Sequence, residues 1–227
     1  MGRGRLLAQA GAAALVTALV GVSAYFINVA ATRRSTPMTI ADCAGANFSA
    51  PLGPIDAPPS VHHYQHPPKF TIDPQRLYEA TITGPAGVIV VCLVPGWAPE
   101  TVNNFVTLAR NSFFDGLLWG RDPSTPPGGP VIQGGSPHND LTGGPGYKFK
   151  DESVSSPLYS GQAYQPGAVA MANSGPNTNG SQFFVTLATF KLSPSYNLFG
   201  EVISGLDVAG KVRRGQPMQI SIREQLP

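Results

Sequence analysis

The run MANSGPNTNGSQFFVTL, Met171 to Leu187, sets a polar loop between two apolar, strand-like ends. The loop, Asn173 to Ser181, holds three Asn, two Gly and a Pro. Side chains of this kind hydrogen-bond their own backbone and so let such a loop fold. A loop pinned between strands is a common place to build a binding surface. This one delivers Gln182 and the pair Phe183, Phe184 onto the next strand. An amide beside an aromatic wall suits a ligand that is part amide, part apolar ring. The same pattern also fits a plain hairpin with an unusually polar turn. Upstream, FDGLLWGRDPSTPPGGPVIQGG, Phe114 to Gly135, adds the always-charged, rigid fork of Arg121 and the amide of Gln133.

Together the two segments resemble the cyclophilin family of peptidyl-prolyl isomerases. FDGLLWGR is similar to the family's F/Y-x-G-x-x-F-H-R run and PVIQGG to its G-F-x-x-Q-G-G run. ANSGPNTNGSQFF is similar to A-N-A/S-G-P-N-T-N-G-S-Q-F-F, and FGEVISGLDV to V-F-G-x-V-x-x-G-x-x-V. The resemblance covers roughly Arg76 to Glu224. It implies rotation about X–Pro bonds, which is slow because the C–N bond has partial double-bond character and a barrier of about 18–20 kcal/mol. Twisting localises a lone pair on the proline nitrogen. A donor aimed at that nitrogen stabilises only the twisted state. The chemistry needs no cofactor, metal or nucleophile.

By this resemblance Arg121 is the catalytic donor. Gln133 is its catalytic partner, holding Arg121 and bonding the substrate backbone. Asn173 donates to and accepts from the residue before the proline, and Gln182 supplies a further backbone contact. Phe184 and Leu192 wall the ring pocket, and Ala172 lines the neighbouring groove. Pro130 and Val131 stand where the family has a phenylalanine and often a methionine, so looser ring binding is expected. Tyr196 stands in place of a histidine and can stack on the peptide. Gly120 replaces the histidine before the arginine, and DPSTPPG makes the following loop several residues longer than the family's link. Lys191 stands near where some members carry a tryptophan that contacts cyclosporin, so strong sensitivity to that drug is not expected.

The elements that must position these residues follow from Arg76 onward. Leu77 to Ile82 alternates as a strand, Thr83 to Gly87 is a turn, and Val88 to Val94 is a second strand. Both rows of the second strand are apolar, so both need cover. The resemblance points the Ile89 row into a barrel and the Cys92 row outward. Pro99-Glu100-Thr101 opens a helix with Val102, Phe105, Val106 and Ala109 on one stripe, ending near Asn111. Leu206 to Val212 reads as a second helix and Met218 to Ile222 as a closing strand. The expected fold is mainly β. It is the family's closed eight-stranded antiparallel barrel with two capping helices, preceded by one N-terminal transmembrane helix.

Three segments are expected: an anchor over residues 1–34, a Pro-rich linker or collar over 35–75, and the isomerase-like domain over 76–227. After MGRGR an apolar run extends from Leu6 to about Ala31 and reaches the roughly 20 residues that span a bilayer. It reads as a signal-anchor, with a cleaved signal peptide as the alternative, since Val29-Ala30-Ala31 offers small residues. His62, His63 and His66 in HHYQHPP lack a preorganised fourth ligand, so no metal is expected. The two cysteines, Cys43 and Cys92, fit one disulfide in an oxidising compartment, or two separate buried thiols. On the first reading the collar packs over the outer face of the second strand and Cys43–Cys92 pins it there.

A net charge of +2, with 12% charged residues and no recurring basic block, argues against a nucleic-acid partner. The sequence therefore implies a membrane-anchored, single-pass, monomeric isomerase. Its domain is extracytoplasmic and acts on proline-containing peptides or exported proteins. The alternatives are a proline-peptide binding module without catalysis and a structural envelope scaffold.

Overall fold

The first hairpin forms where alternation and the Gly84–Gly87 turn require it. The structure, a computed structural model, describes residues 40–55, 62–126, 129–154 and 156–227. Strand β1 is Tyr78–Gly84 and β2 is Gly87–Leu93, paired antiparallel from Tyr78 opposite Leu93 to Gly84 opposite Gly87. The remaining strands are β3 Val131–Gly134, β4 Tyr159–Ser160, β5 Ala163–Tyr164, β6 Ala168–Met171, β7 Phe183–Thr186, β8 Phe190–Lys191, β9 Leu198–Ser204 and β10 Gln219–Glu224. The helices are α1 Ile40–Gly45, α2 Pro99–Arg110 and α3 Leu206–Ala209. The expected anchor, residues 1–34, lies outside the described residues. Among the described residues no helix is long and apolar enough to cross a membrane.

Seven strands form one curled antiparallel sheet in the order β10-β1-β2-β9-β6-β7-β3, and β4-β5-β8 form a small second sheet. A closed barrel of eight strands was expected; the large sheet has seven, and an irregular segment, Gly116 to Arg121, runs beside it. Its backbone bonds first to residues just before β10 and then to β3. Gly116 N–H donates to Met218 O (2.9 Å) and Trp119 N–H to Gln216 O (2.9 Å). Gly120 N–H then donates to Gln133 O (2.9 Å), and Gln133 N–H to Arg121 O (3.0 Å). The segment carries only isolated bridges, Leu118 to Pro217 and Arg121 to Gln133. Pro217 has no N–H to extend a ladder. The second helix is shorter than expected, stopping at Ala209 ahead of Gly210.

The sheet wraps an apolar core that includes Tyr78, Ile82, Ile89, Val91, Leu93 and Val185. Phe105 of α2 sits inside it, 5.1 Å from Phe114, 5.3 Å from Phe183 and 5.2 Å from Phe199 between ring centroids. One buried stripe was expected on α2; instead every residue from Thr101 to Ala109 is buried. The polar face is covered too, and its two asparagines are paired. Asn103 accepts from Thr71 N–H (2.8 Å) and donates to Lys69 O (3.0 Å). Asn104 donates to Gly180 O (2.8 Å) and accepts from the Tyr147 hydroxyl (2.5 Å). The N-cap, Ala98, offers no side chain, so the Glu152 carboxylate accepts the N–H groups of Glu100 (3.0 Å) and Thr101 (2.9 Å) instead.

What covers the outer surfaces is the segment before β1. Asn47 to Leu52 run beside β10: Ser49 N–H donates to Glu224 O (2.9 Å), Leu52 N–H to Ile222 O (2.7 Å) and Leu226 N–H to Asn47 O (2.8 Å). Ile55 N–H then bonds Asn111 Oδ1 (2.9 Å), just past α2. Cys43 and Cys92 form a disulfide, with Cα atoms 6.2 Å apart. Around it Leu77, Val94, Trp97 and Leu198 make a second buried cluster on the outer face of β2. The expectation of full cover on that row is corrected at its far end, where Val88 is 47% exposed beyond the reach of the collar.

Candidate functional site

Arg121 stands where the irregular segment meets β3, its N–H donating to Gln133 O (3.1 Å). The pairing fixes its backbone between a regular strand and the loop that follows. That loop begins with a tight, self-bonded turn. The buried Asp122 carboxylate accepts from Ser124 N–H (2.9 Å), Ser124 Oγ (2.6 Å), Thr125 Oγ1 (3.1 Å) and Arg214 N–H (3.1 Å). The Ser124 hydroxyl, then the Arg214 N–H, hold the Asp122 carboxyl down to about 2. At the loop's return, a Cβ on Gly129 would lie 3.0 Å from Phe190 Cζ and 3.3 Å from Arg121 Nη2, so the backbone passes close over both.

Gln133 and Gln182 face each other across the β3–β7 pair. Gln133 Nε2 donates to Gln182 Oε1 (3.0 Å). Gln182 Nε2 donates in turn to Leu141 O (3.0 Å) and Gly143 O (2.9 Å). Gln182, the expected further substrate contact, has its amide hydrogens tying down the Leu141–Gly143 loop. Asn173 uses its side chain similarly, Nδ2 donating to Ser195 O (2.7 Å) and Oδ1 accepting from Gly175 N–H (3.3 Å). Among the described residues no hydrogen bond engages the backbone N–H or C=O of Asn173. Those two groups are the donor and acceptor an extended peptide would pair with. The rest of the loop is self-bonded as its composition implies, with Thr178 Oγ1 accepting from Ser174 N–H (2.9 Å) and donating to Gly175 O (2.6 Å).

The ring-pocket residues converge on the outer cluster. Val131 and Phe184 are buried there, and Ala172, Phe190, Leu192 and Tyr196 pack half-buried against them. Phe184 meets Tyr196 edge to face at 5.5 Å and Tyr164 at 6.0 Å. Pro130 is half-buried beside Val131, its carbonyl accepting Leu187 N–H (2.7 Å). Lys191 is exposed. Three side chains fasten the loop that carries Leu192 and Tyr196: Tyr159 donates to Leu192 O (3.1 Å), Asn173 to Ser195 O, and Tyr164 to Tyr196 O (2.8 Å). Burial pushes the Tyr164 phenol well above its usual range, so it stays a donor at any working pH.

Beside this pocket opens a cleft of about 750 Å³, bordered by Gln133, Ala172, Asn173 and Gln182, with Leu141 and Lys148 in its wall. His63 and His138 also line it. Sequence reasoning passed over these wall residues and over Tyr159 and Tyr164. HHYQHPP drew notice only as a candidate metal motif. Among the described residues no group of three or more His, Cys, Asp or Glu is placed to hold a metal. His62 instead packs edge-on against Phe113, with centroids 5.4 Å apart.

Comparison with known proteins bears on this geometry. The family model described as cyclophilin type peptidyl-prolyl cis-trans isomerase/CLD matches residues 78–224. The protein named "Probable peptidyl-prolyl cis-trans isomerase B" of Mycobacterium tuberculosis is 38% identical over 178 residues, which is 75% of this chain and 57% of that protein. The chain thus spans little more than half the length of that relative. Peptidyl-prolyl cis-trans isomerase B of Bacillus subtilis is 41% identical over 128 residues, 56% of this chain and 84% of its own. Among solved structures, a Cryptosporidium parvum cyclophilin type peptidyl-prolyl cis-trans isomerase superposes with a TM-score of 0.55 at 25% identity, covering 66% of this chain and 99% of that one. The same protein crystallised in the presence of the dipeptide Ala-Pro superposes with a TM-score of 0.53 at 26% identity, covering 63% and 98%.

Proposed function

The chain belongs to the cyclophilin-type peptidyl-prolyl cis-trans isomerase family, and from that membership we propose that it catalyses rotation about X–Pro bonds in exported or envelope proteins. The observation that carries this reading is the row formed by Arg121, Gln133, Asn173 and the Val131–Phe184 pocket. A peptide paired with the open backbone groups of Asn173 would lay its proline against Phe184, on the side of the sheet from which Arg121 emerges. Arg121 then donates to the proline nitrogen as the bond twists, while Gln133 stays braced on Gln182. The energy goes to the twisted state and not to the planar one, which is what raises the rate.

Location is part of the proposal. The apolar run before Ala31 and the Cys43–Cys92 disulfide both support a single-pass anchor with the domain in an oxidising, extracytoplasmic space. The finer account of the fold, a closed barrel, is supported by the hydrogen bonds that Gly116 to Arg121 make to β3 and to the residues just before β10.

The test is cis/trans exchange in a short X–Pro peptide with the full chain, wild type against Arg121→Ala. Loss of one transition-state donor predicts a fall of at least about tenfold. Equal rates in the two proteins would refute a catalytic Arg121. A binding module is the second reading, favoured by Val131 in the pocket and by Gly129 passing close over the guanidinium. Peptide binding without exchange would decide for it.

A further inference from the structure

The Arg121 guanidinium sits at the end of a long, rotatable side chain. Backbone pairing with Gln133 fixes where that side chain starts, not where its fork ends. A donor to a twisting bond works when it is held in place before the reaction, and a misplacement of about 1 Å can cost about a hundredfold in rate. The fork therefore needs neighbours that set its position. Its Nε is buried, so the root of the fork lies inside the fold.

The tip of the fork meets two neighbours at the loop's return. Phe190 Cζ lies 3.0 Å, and Arg121 Nη2 3.3 Å, from the point where a Cβ on Gly129 would stand. Ring and fork thus come together over the bare face of one glycine. Gly129 has φ +133, a backbone that favours glycine, and a side chain there would displace the ring or the fork. This glycine is pinned. Its carbonyl accepts the Val131 N–H (2.8 Å) in a three-residue turn about Pro130, and the Pro130 carbonyl accepts the Leu187 N–H (2.7 Å). The turn is tied to β3 on one side and to the residue just past β7 on the other.

Phe190 is pinned as well. It opens β8 and pairs with Tyr164 of β5, a fully buried residue whose hydroxyl donates to Tyr196 O (2.8 Å). Its ring packs, partly buried, on the cluster that holds Val131 and Phe184. Phe190 lies in none of the four runs that are similar to the family's. We propose that Phe190, acting against the Gly129 backbone, is a positioning residue for Arg121, its ring being the stop that sets where the guanidinium stands. The inference rests on the isomerase reading above and adds a residue to the same site. Positioning of a transition-state donor falls on kcat more than on KM, whereas a ring that only fills space does not act through Arg121.

The test uses the full chain, an X–Pro peptide and NMR of isotope-labelled arginine, with the Arg121 Nε–H signal identified by its loss in Arg121→Ala. Phe190→Ala is expected to lower kcat about tenfold, short of the cost of a full misplacement, with KM moving less. Phe190→Leu, which keeps bulk at the stop, restores most of the rate. Phe190→Val, a milder truncation suited to a strand, falls between them and serves if the alanine variant does not fold. In the truncated variants the Arg121 Nε–H exchanges with solvent faster than in wild type. An unchanged or raised kcat, or a lowered kcat with the Nε–H exchange unchanged, would overturn the positioning role while leaving the isomerase reading intact. Absence of catalysed exchange in wild type would overturn the isomerase reading and take the positioning role with it.

Discussion

Replacing Asp122 by Asn removes the charge from a carboxylate that is only 4% exposed and accepts bonds from Ser124, Thr125 and Arg214. The Asn amide keeps one acceptor oxygen but turns an NH2 group toward a donor, either the Arg214 N–H or the Ser124 pair. The Asp122 carboxyl is held at about 2, against a usual value of 3.8. At about 1.4 kcal/mol per pH unit, that depression is worth roughly 2 kcal/mol of folding stability. The sign follows from its direction. A folded-state value below the unfolded one gives stability that is fully present above pH 3.8 and is lost as the pH falls through about 2. The assay is urea unfolding of wild type and Asp122→Asn at pH 7 and again near pH 2. Wild type should be more stable by roughly 2 kcal/mol at pH 7, and most of that gap should close at the lower pH. The same gap at both values, or none at pH 7, would refute the reasoning. Because Asp122 adjoins Arg121 and reaches across to Arg214, the variant should also lower kcat/KM for an X–Pro peptide.

Two further outcomes are expected. Tyr164→Phe loses the bonds to Tyr196 O (2.8 Å) and from Tyr196 N–H (3.2 Å) while keeping the ring. It should cost about 1–3 kcal/mol in chemical denaturation and raise KM for peptide more than it lowers kcat; unchanged KM would show that the Leu192–Tyr196 loop holds without it. Reducing Cys43–Cys92, 49 residues apart in sequence, should lower stability by roughly 4 kcal/mol at most. Calorimetry with and without reductant reads it, and equal unfolding temperatures would show that the collar stays docked without the bridge.

Several elements were legible because local signals and long-range packing agree there. β1 and β2 follow from alternation and a Gly-bounded turn, and α2 from its first-turn Pro and apolar stripe. The positions brought to one row, Arg121, Gln133, Asn173 and Phe184, could be read from motifs whose spacing matches a family. Other features escaped for physical reasons. The burial of α2 on its polar side depends on the collar, which has no period of its own and takes its shape from what it lies on. The use of Gln182 as a brace depends on the Leu141–Gly143 carbonyls, which carry no side-chain signal in sequence. His63 reaches the cleft only because Gly146, 83 positions later in the chain, leaves room for its ring. The course of Gly116 to Arg121 was hidden because Pro217 and glycines break the alternation that marks a strand.

The pairing of Asn47–Leu52 with residues 222–226 also sets a timetable. These partners are about 175 positions apart in sequence, as between Phe48 and Arg223. During synthesis the collar emerges long before its partner strand, so this edge stays unpaired while the chain between is made. Contacts of such long range slow folding, since the intervening loop must close before they reward it. Over that interval the oxidised Cys43–Cys92 link tethers the collar at one end only. A newly made molecule therefore leaves both β1 and the collar without their partner strand until β10 arrives, and that interval is when it is most exposed to wrong strand partners.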